Sequence, residues 1–270
     1  MALSHPSVSE VQAYWNAASE WYIESAEVSA LTIYSALLPV IDTKNAHKIC
    51  DVACGSGREI SLLLSLLPQD SEIWASDISD AMVDKALQRN LPRTHIIQAS
   101  NDALPYIDNN FDRYIANLSL MYVPDASLMI REAWRVLAPG GIAIFSVWGR
   151  REHCTLEALW EQALFDVVGS QAKSKRSPFY LSDSGELKSL VKNCGFNKVF
   201  SYFTAAPFAG TGFEETMSFY AHFPRVLAIK NQYDESTFQR FWTRLTELVQ
   251  EIVEKEEVLM FDVQVVLAYK

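Results

Sequence analysis

The chain has 270 residues, 49% of them hydrophobic and 12% aromatic, with 23 basic against 33 acidic side chains and a formal net charge of −10. That length and apolar content suffice for the core of one large domain or two small ones. A surface this acidic repels phosphate backbones and argues against a nucleic-acid partner; the short basic stretches at Arg150-Arg151 and residues 173–176 read as solvated loop charge.

Cys50, Cys54, Cys154 and Cys194 show neither C-x-x-C spacing nor disulfide density, so they read as core thiols in a reducing compartment rather than metal ligands. No apolar run approaches the ~20 residues of a membrane span, and the first residues lack the charged and apolar segments of a secretory signal. The expectation is a cytoplasmic protein without a membrane span.

Taken in chain order, residues 7–39 carry two helical patterns. Val8, Val11, Tyr14 and Trp15 recur at helical spacing, Trp21-Tyr22 follows a small-residue break at Ala17-Ala18-Ser19, and Leu31, Ile33, Tyr34, Leu37 and Leu38 form a second segment ended by Pro39. They fit a helical layer on a core, or a lid whose polar-tipped aromatics close over a ligand.

Ile49, Cys50, Val52 and Ala53 then read as a buried strand, broken by Gly55 and Gly57 before the apolar helix pattern of residues 60–67. Glycines in such a turn let backbone approach a ligand, and free amides at the helix start face an anion. Residues 72–77 form a second strand ending in Asp77, placed where such a unit offers a carboxylate to a ribose diol. Together they predict a nucleoside site. A dinucleotide fold wants a third glycine where this chain has Ile60; here Asp51 instead stands four residues before Gly55, giving Asp-x-x-x-Gly-x-Gly.

Ser79 is the expected N-cap of a helix to about residue 90, and residues 93–99, with Ile96-Ile97, make a third strand. Residues 111–118 make a fourth. A helix over 124–138 is stopped by Pro139-Gly140-Gly141, and 142–148 make a fifth strand. Strands alternating with helices imply a parallel sheet with right-handed crossovers, beyond whose carboxyl ends Gly55, Asp77, Ser100 and Asn117 converge. Beyond Trp148 the pattern predicts a helix over 155–168, a polar segment over 169–177, a helix over 182–193 ended by Gly195, and a sixth strand over 196–203. An amphipathic helix over 235–256 precedes the nearly continuous apolar residues 258–269, a strand buried on both faces.

From about residue 49 to 148 the chain resembles the class I S-adenosylmethionine-dependent methyltransferases, in particular the group typified by the ubiquinone and menaquinone biosynthesis C-methyltransferases. Asp51-Val-Ala-Cys-Gly-Ser-Gly57 looks like their cofactor turn, and Asp77-Ile-Ser-Asp-Ala-Met82 like the ribose acid followed by a residue that packs on adenine. Ala103-Leu-Pro-Tyr106 with Phe111-Asp112, and Arg135-Val-Leu-Ala-Pro-Gly-Gly141, resemble the segments leading into strands four and five.

The resemblance implies an α/β, Rossmann-like, doubly wound sheet of seven strands ordered 3-2-1-4-5-7-6, the last antiparallel, with helices on both faces and N-terminal lid helices. One domain would then span residues 1–270: a lid over 1–45, a cofactor-binding core over 46–150, and a C-terminal part over 151–270 whose helical insertion forms a substrate pocket. The implied cofactor is S-adenosyl-L-methionine. Tyr22, Asp51, Ala53, Gly55 and Gly57 would surround its methionine part, with Arg58 on the carboxylate, Asp77 on the ribose, and Ile78 and Met82 against the base. Asn117 would be a further contact. Where the family has an acid reading the adenine amine, this chain has Ser100-Asn101 with Asp102 two places late, so that contact is open among the three.

Methyl transfer is an in-line displacement that positioning and water exclusion accelerate, and an oxygen nucleophile adds the need for a base, for which His153 is the candidate. The aromatic content points to a small apolar or aromatic substrate, with Tyr14, Trp15, Tyr122, Trp148, Phe179, Tyr180, Phe219, His222 and Phe223 as pocket candidates. The competing readings are a protein or peptide methyltransferase, a nucleotide-dependent oxidoreductase, and a non-catalytic module on the same fold.

Overall fold

A computed structural model describes residues 6–169, 177–210 and 212–270; the basic residues 173–176 lie outside them. Helix α1 (Val8–Trp21) starts on a capping box, in which the Ser7 hydroxyl accepts from the Glu10 amide at 3.2 Å and the Glu10 carboxylate accepts from the Ser7 amide at 2.7 Å. The expected break at Ala17-Ala18-Ser19 does not occur. Alanine is the best helix former, and the interruption falls instead at a π-helical turn, Tyr22–Ala26, before α2 (Glu27–Ser35).

The alternation that follows agrees with the sequence pattern: β1 (Lys48–Val52), α3 (Arg58–Leu66), β2 (Glu72–Asp77), α4 (Asp80–Gln88), β3 (Thr94–Gln98), β4 (Phe111–Ala116), α5 (Ala126–Val136) and β5 (Leu137–Trp148). Ser79 caps α4, its hydroxyl accepting from the Met82 amide at 3.2 Å. The Pro139-Gly140-Gly141 stop acts differently from expectation. Helix α5 has already ended at Val136, and the three residues lie inside β5 beside a register shift against β4 between Phe111 and Arg113.

Then come α6 (Thr155–Val168), α7 (Ser184–Asn193), β6 (Lys198–Pro207), α8 (Phe213–His222), α9 (Pro224–Gln232), α10 (Glu235–Glu254) and β7 (Met260–Tyr269). The sheet order is β3-β2-β1-β4-β5-β7-β6, with β7 antiparallel to both neighbours and the first five strands parallel.

Period-two alternation divides the buried side chains into two cores, one on each face of the sheet. On β4 and β5, Ile115, Ile142 and Ile144 join one core with residues of α2, α3, α6, α8 and α10. Their neighbours Tyr114, Ala116, Ala143, Phe145 and Val147 join the other with residues of α5 and α7. The strand order reverses between β1 and β4, which puts the crevice for a ligand beyond their carboxyl ends. Among the described residues no helix is long and apolar enough to cross a membrane.

At the end of β5 the backbone runs against β7. The Gly149 amide donates to the Asp262 carbonyl at 2.8 Å, while the Asp262 carboxylate accepts from the Arg150 amide at 2.6 Å and its guanidinium at 2.8 Å. A methyl group on Gly149 would overlap Asp262 Oδ2. Gly149→Ala is therefore expected to lower stability by about 1–3 kcal/mol through overpacking, read as a lower urea midpoint at unchanged slope.

Candidate active site

The turn after β1 is built from backbone that side chains resist. Gly55 has φ +53° and Gly57 φ +75°, and Ala53 is held at φ +52°, a left-handed conformation uncommon for a residue with a Cβ. The Gly55 amide points at β2 and donates to Asp77 Oδ2 at 2.9 Å, while Asp77 Oδ1 accepts from the Ser79 amide at 2.9 Å. Gly57 serves packing: a Cβ there would lie 3.1 Å from the Ala86 Cβ of α4.

The N-terminal helices lie over this turn. The Asn16 amide donates to Asp80 Oδ1 at 2.5 Å and its oxygen accepts from the Ser79 hydroxyl at 2.6 Å, joining α1 to the start of α4. The Tyr22 ring covers Gly55, where an added Cβ would meet Tyr22 Cε1 at 3.6 Å. Glu27, 2% exposed, accepts from the Ser56 hydroxyl and from Arg58 Nη1 at 3.2 Å, with Arg89 Nη2 3.6 Å away. Arg58, expected on a ligand carboxylate, is thus placed on Glu27 and outside the cavity lining, because a buried carboxylate is costly without a cation.

These elements enclose about 1320 Å³ of space, part of it continuous with solvent. At one end it is lined by Tyr22, Ala53, Gly55 and Asp77, with Ile78 and Met82 beside them. Ser100 and Asn101 lie there too, but they differ in what they have left to offer. The Ser100 hydroxyl donates to Asp102, which does not line the cavity, whereas the buried Asn101 Oδ1 has no partner. Asn117 reaches the cavity with its amide already committed, donating to the Ala30 carbonyl at 3.3 Å and accepting from Ser146 at 2.6 Å.

A smaller chamber of about 240 Å³ adjoins it, sharing Tyr22, Ala53 and Asn117 and adding Tyr34, Asp51, Cys54 and Glu59. Burial pushes the Asp51 carboxyl up to about 7, although the Tyr34 hydroxyl donates to it at 3.0 Å, and it pushes Glu59 up to about 8. Burial likewise raises Asp77, against the amides of Ser79 and Gly55.

The other end is walled by rings. Trp15 meets Tyr122 at 5.6 Å, Trp148 stacks on Phe261 at 5.2 Å, and Trp21 packs on Phe219 and Phe223 at 5.4 and 5.6 Å. Tyr14 also lines the space. Phe179, Tyr180 and His222 do not, and His153 is an exposed residue of a 3-10 turn away from the cavity, so it is not placed as a base. Sequence reasoning missed Trp21, Phe261, Glu157 and Arg225. Glu157 had a signal: it is an acid inside the apolar stripe of Leu156 and Trp160, and a buried acid needs a reason.

Residues 50–145 match a family model described as a methyltransferase domain. A bifunctional biotin-biosynthesis protein of Saccharophagus degradans is 30% identical over 157 residues, 57% of this chain but 27% of that protein. The ubiquinone/menaquinone biosynthesis C-methyltransferase of Pasteurella multocida is 29% identical over 178 residues, 59% of this chain and 65% of that one. The chain thus spans under two thirds of either relative. In fold it is similar to the [4+2]-cyclase SpnF, with TM-score 0.63 at 17% identity over 98% of this chain and 96% of that one. Residues 50–145 thus carry a methyltransferase domain, and the sheet order and the glycine turn agree with the class I S-adenosylmethionine-dependent methyltransferases that this part of the chain resembles.

Proposed function

We propose that the protein transfers a methyl group from S-adenosylmethionine to a small, mainly apolar or aromatic molecule. The observation that carries this reading is the Asp77 carboxylate, buried beside the cavity and bonded to Gly55 of the turn, with an unpartnered acceptor on Asn101 farther along the same wall.

The residues fit an adenosyl group. Each Asp77 oxygen accepts one amide hydrogen and keeps a lone pair for a ribose hydroxyl. Ile78 and Met82 offer an apolar surface to the base, and the adenine amine would go to Asn101, whose buried Oδ1 has no partner and needs a turn of the side chain to face the cavity, since the Ser100 hydroxyl is spent on Asp102. Ala53, Gly55 and Tyr22 border the amino-acid end, where Asp51 and Glu59 would face its ammonium. When bound, the sulfonium supplies an electrophilic methyl carbon and a neutral thioether leaving group.

The chain's own contribution is to position and to exclude water. Helix α1 and the π-helical turn act as the lid over the glycine turn, and the ring-lined end holds the acceptor for in-line approach at about 3 Å. A wall of Trp, Tyr and Phe side chains favours a flat or apolar molecule over an extended peptide.

Two measurements test the assignment. Calorimetry with S-adenosylhomocysteine is expected to show Asp77→Asn weakening binding by a factor of ten or more, about 1.4 kcal/mol; unchanged affinity would remove Asp77 from the ribose. The second is proton release. A ligand ammonium beside Asp51 favours its ionised form and lowers a carboxyl that burial has raised to about 7, so binding expels a proton below that pH. Affinity should therefore rise from pH 5.5 through about 7 and, because Glu59 raised to about 8 would face the same ammonium, level only above that. The binding enthalpy at pH 6.5 should depend on the ionisation enthalpy of the buffer, and Asp51→Asn should diminish that dependence.

A further inference from the structure

One polar cluster interrupts the ring-lined end of the cavity, and it belongs to Glu157, Arg225, Tyr14 and Tyr122. Glu157 lies in the first turn of α6, after β5, while Asp77 ends β2. Three strand spacings of ~4.8 Å separate β2 from β5 in the sheet, so the two acids stand on the order of 14 Å apart along its edge.

The bonds of Glu157 are one-sided. It is 5% exposed, and both of its partners bind Oε2: the Trp160 indole N–H at 2.7 Å and Arg225 Nη1 at 3.1 Å. Oε1 takes no hydrogen bond among the described residues, and Glu157 lines the cavity. Arg225 spends one N–H on Glu157 and otherwise lies over the Phe223 ring at 5.9 Å. The Tyr122 hydroxyl accepts from the Trp148 indole at 2.9 Å and keeps its own hydrogen to donate.

We propose that Glu157 Oε1 receives the proton of a substrate hydroxyl, which makes the methyl acceptor a neutral, mainly apolar alcohol or phenol. The charges decide the class. A carboxylate drawn to Arg225 would meet Glu157, and an ammonium drawn to Glu157 would meet Arg225, so either ion gains one partner and faces one like charge. A hydroxyl donates to Oε1 and accepts from Tyr122 or Arg225 without that conflict. As the oxygen is methylated, its lone pair forms the new O–C bond and the O–H proton passes to Oε1. The pair of the broken C–S bond stays on sulfur. Trp160 and Arg225 are positioning residues that fix which carboxylate oxygen faces the substrate.

The inference rests on the methyl-transfer reading above, and the two can fail separately. Protein saturated with S-adenosylhomocysteine is titrated with 2-naphthol, 2-naphthoate and 2-naphthylmethylamine, which share a ring system and differ in head group. The expected result is that the naphthol binds at least tenfold more tightly than either ion. Glu157→Gln should then weaken the naphthol fivefold or more while S-adenosylhomocysteine binds within twofold of wild type, which also reports on folding. Tyr122→Phe, which keeps the ring, should cost the naphthol a smaller factor. Equal or tighter binding of either ion, binding of none of the three, or naphthol affinity indifferent to Glu157→Gln overturns the proposal. If S-adenosylhomocysteine itself does not bind, the methyl-transfer reading falls, and the head-group order is then read on the unloaded protein.

Discussion

The bond from the Gly55 amide to the Asp77 carboxylate is the contact on which the site depends, because it fixes two strand ends as one object. A charge-assisted bond to backbone is stronger than a neutral one, and here it is made where little water competes. It forms only because Gly55 adopts φ +53°, which turns its N–H toward β2. The spacing between glycine turn and acid in the sequence is the length of chain, one helix and one strand, that this contact closes. The Ser79 amide then holds the other oxygen, and the Ser79 side chain caps α4. One acid thereby sets the turn, the end of β2 and the start of the next helix.

Charge placement around the turn follows from burial. Glu27 is brought by α2 to a spot where Arg58 and Arg89 stand within 3.6 Å, and the result is a pinned helix. Asp51 and Glu59 are as deeply placed but make no ion pair among the described residues, and both are raised by desolvation. The same chain therefore has acids neutralised to hold the fold and acids left short of a cation beside the cavity. Only the second kind has free energy to gain from a positively charged ligand.

Much of this was legible because local rules and tertiary structure agreed. The strand, glycine turn, helix and acid of residues 49–77 showed in the sequence, as did the Ser79 cap, α6 and the doubly buried β7. The strand order came from resemblance, since periodicity does not say which strands are neighbours. Where the structure places residues differently from expectation, the causes are physical. Arg58 is adjacent to the glycines in sequence, yet its partner is Glu27, thirty-one residues earlier. His153 attracted a catalytic role by residue type, but a 3-10 turn leaves it exposed. Helices α8 and α9 were expected only as an unplaced helical insertion; Phe219 lies in α8, Phe223 between the two and Arg225 in α9.

The relation between the two ends of the cavity follows from adjacent residues. Trp21 packs on Phe219 and Phe223 at the ring-lined end, while Tyr22 covers Gly55 and meets Trp15 at 5.9 Å. Successive side chains on a helix diverge by about 100°, so one backbone segment can address both walls only where the helix borders both. The junction of α1, which ends at Trp21, with the π-helical turn, which starts at Tyr22, is that border. A displacement of α1 that uncovers Gly55 must then also disturb the ring contact with Phe219. The cover of Gly55 and the ring contacts at the other end thus rest on one backbone segment, and the fold alone, similar to that of a [4+2]-cyclase, leaves the choice of chemistry to the few side chains facing the cavity.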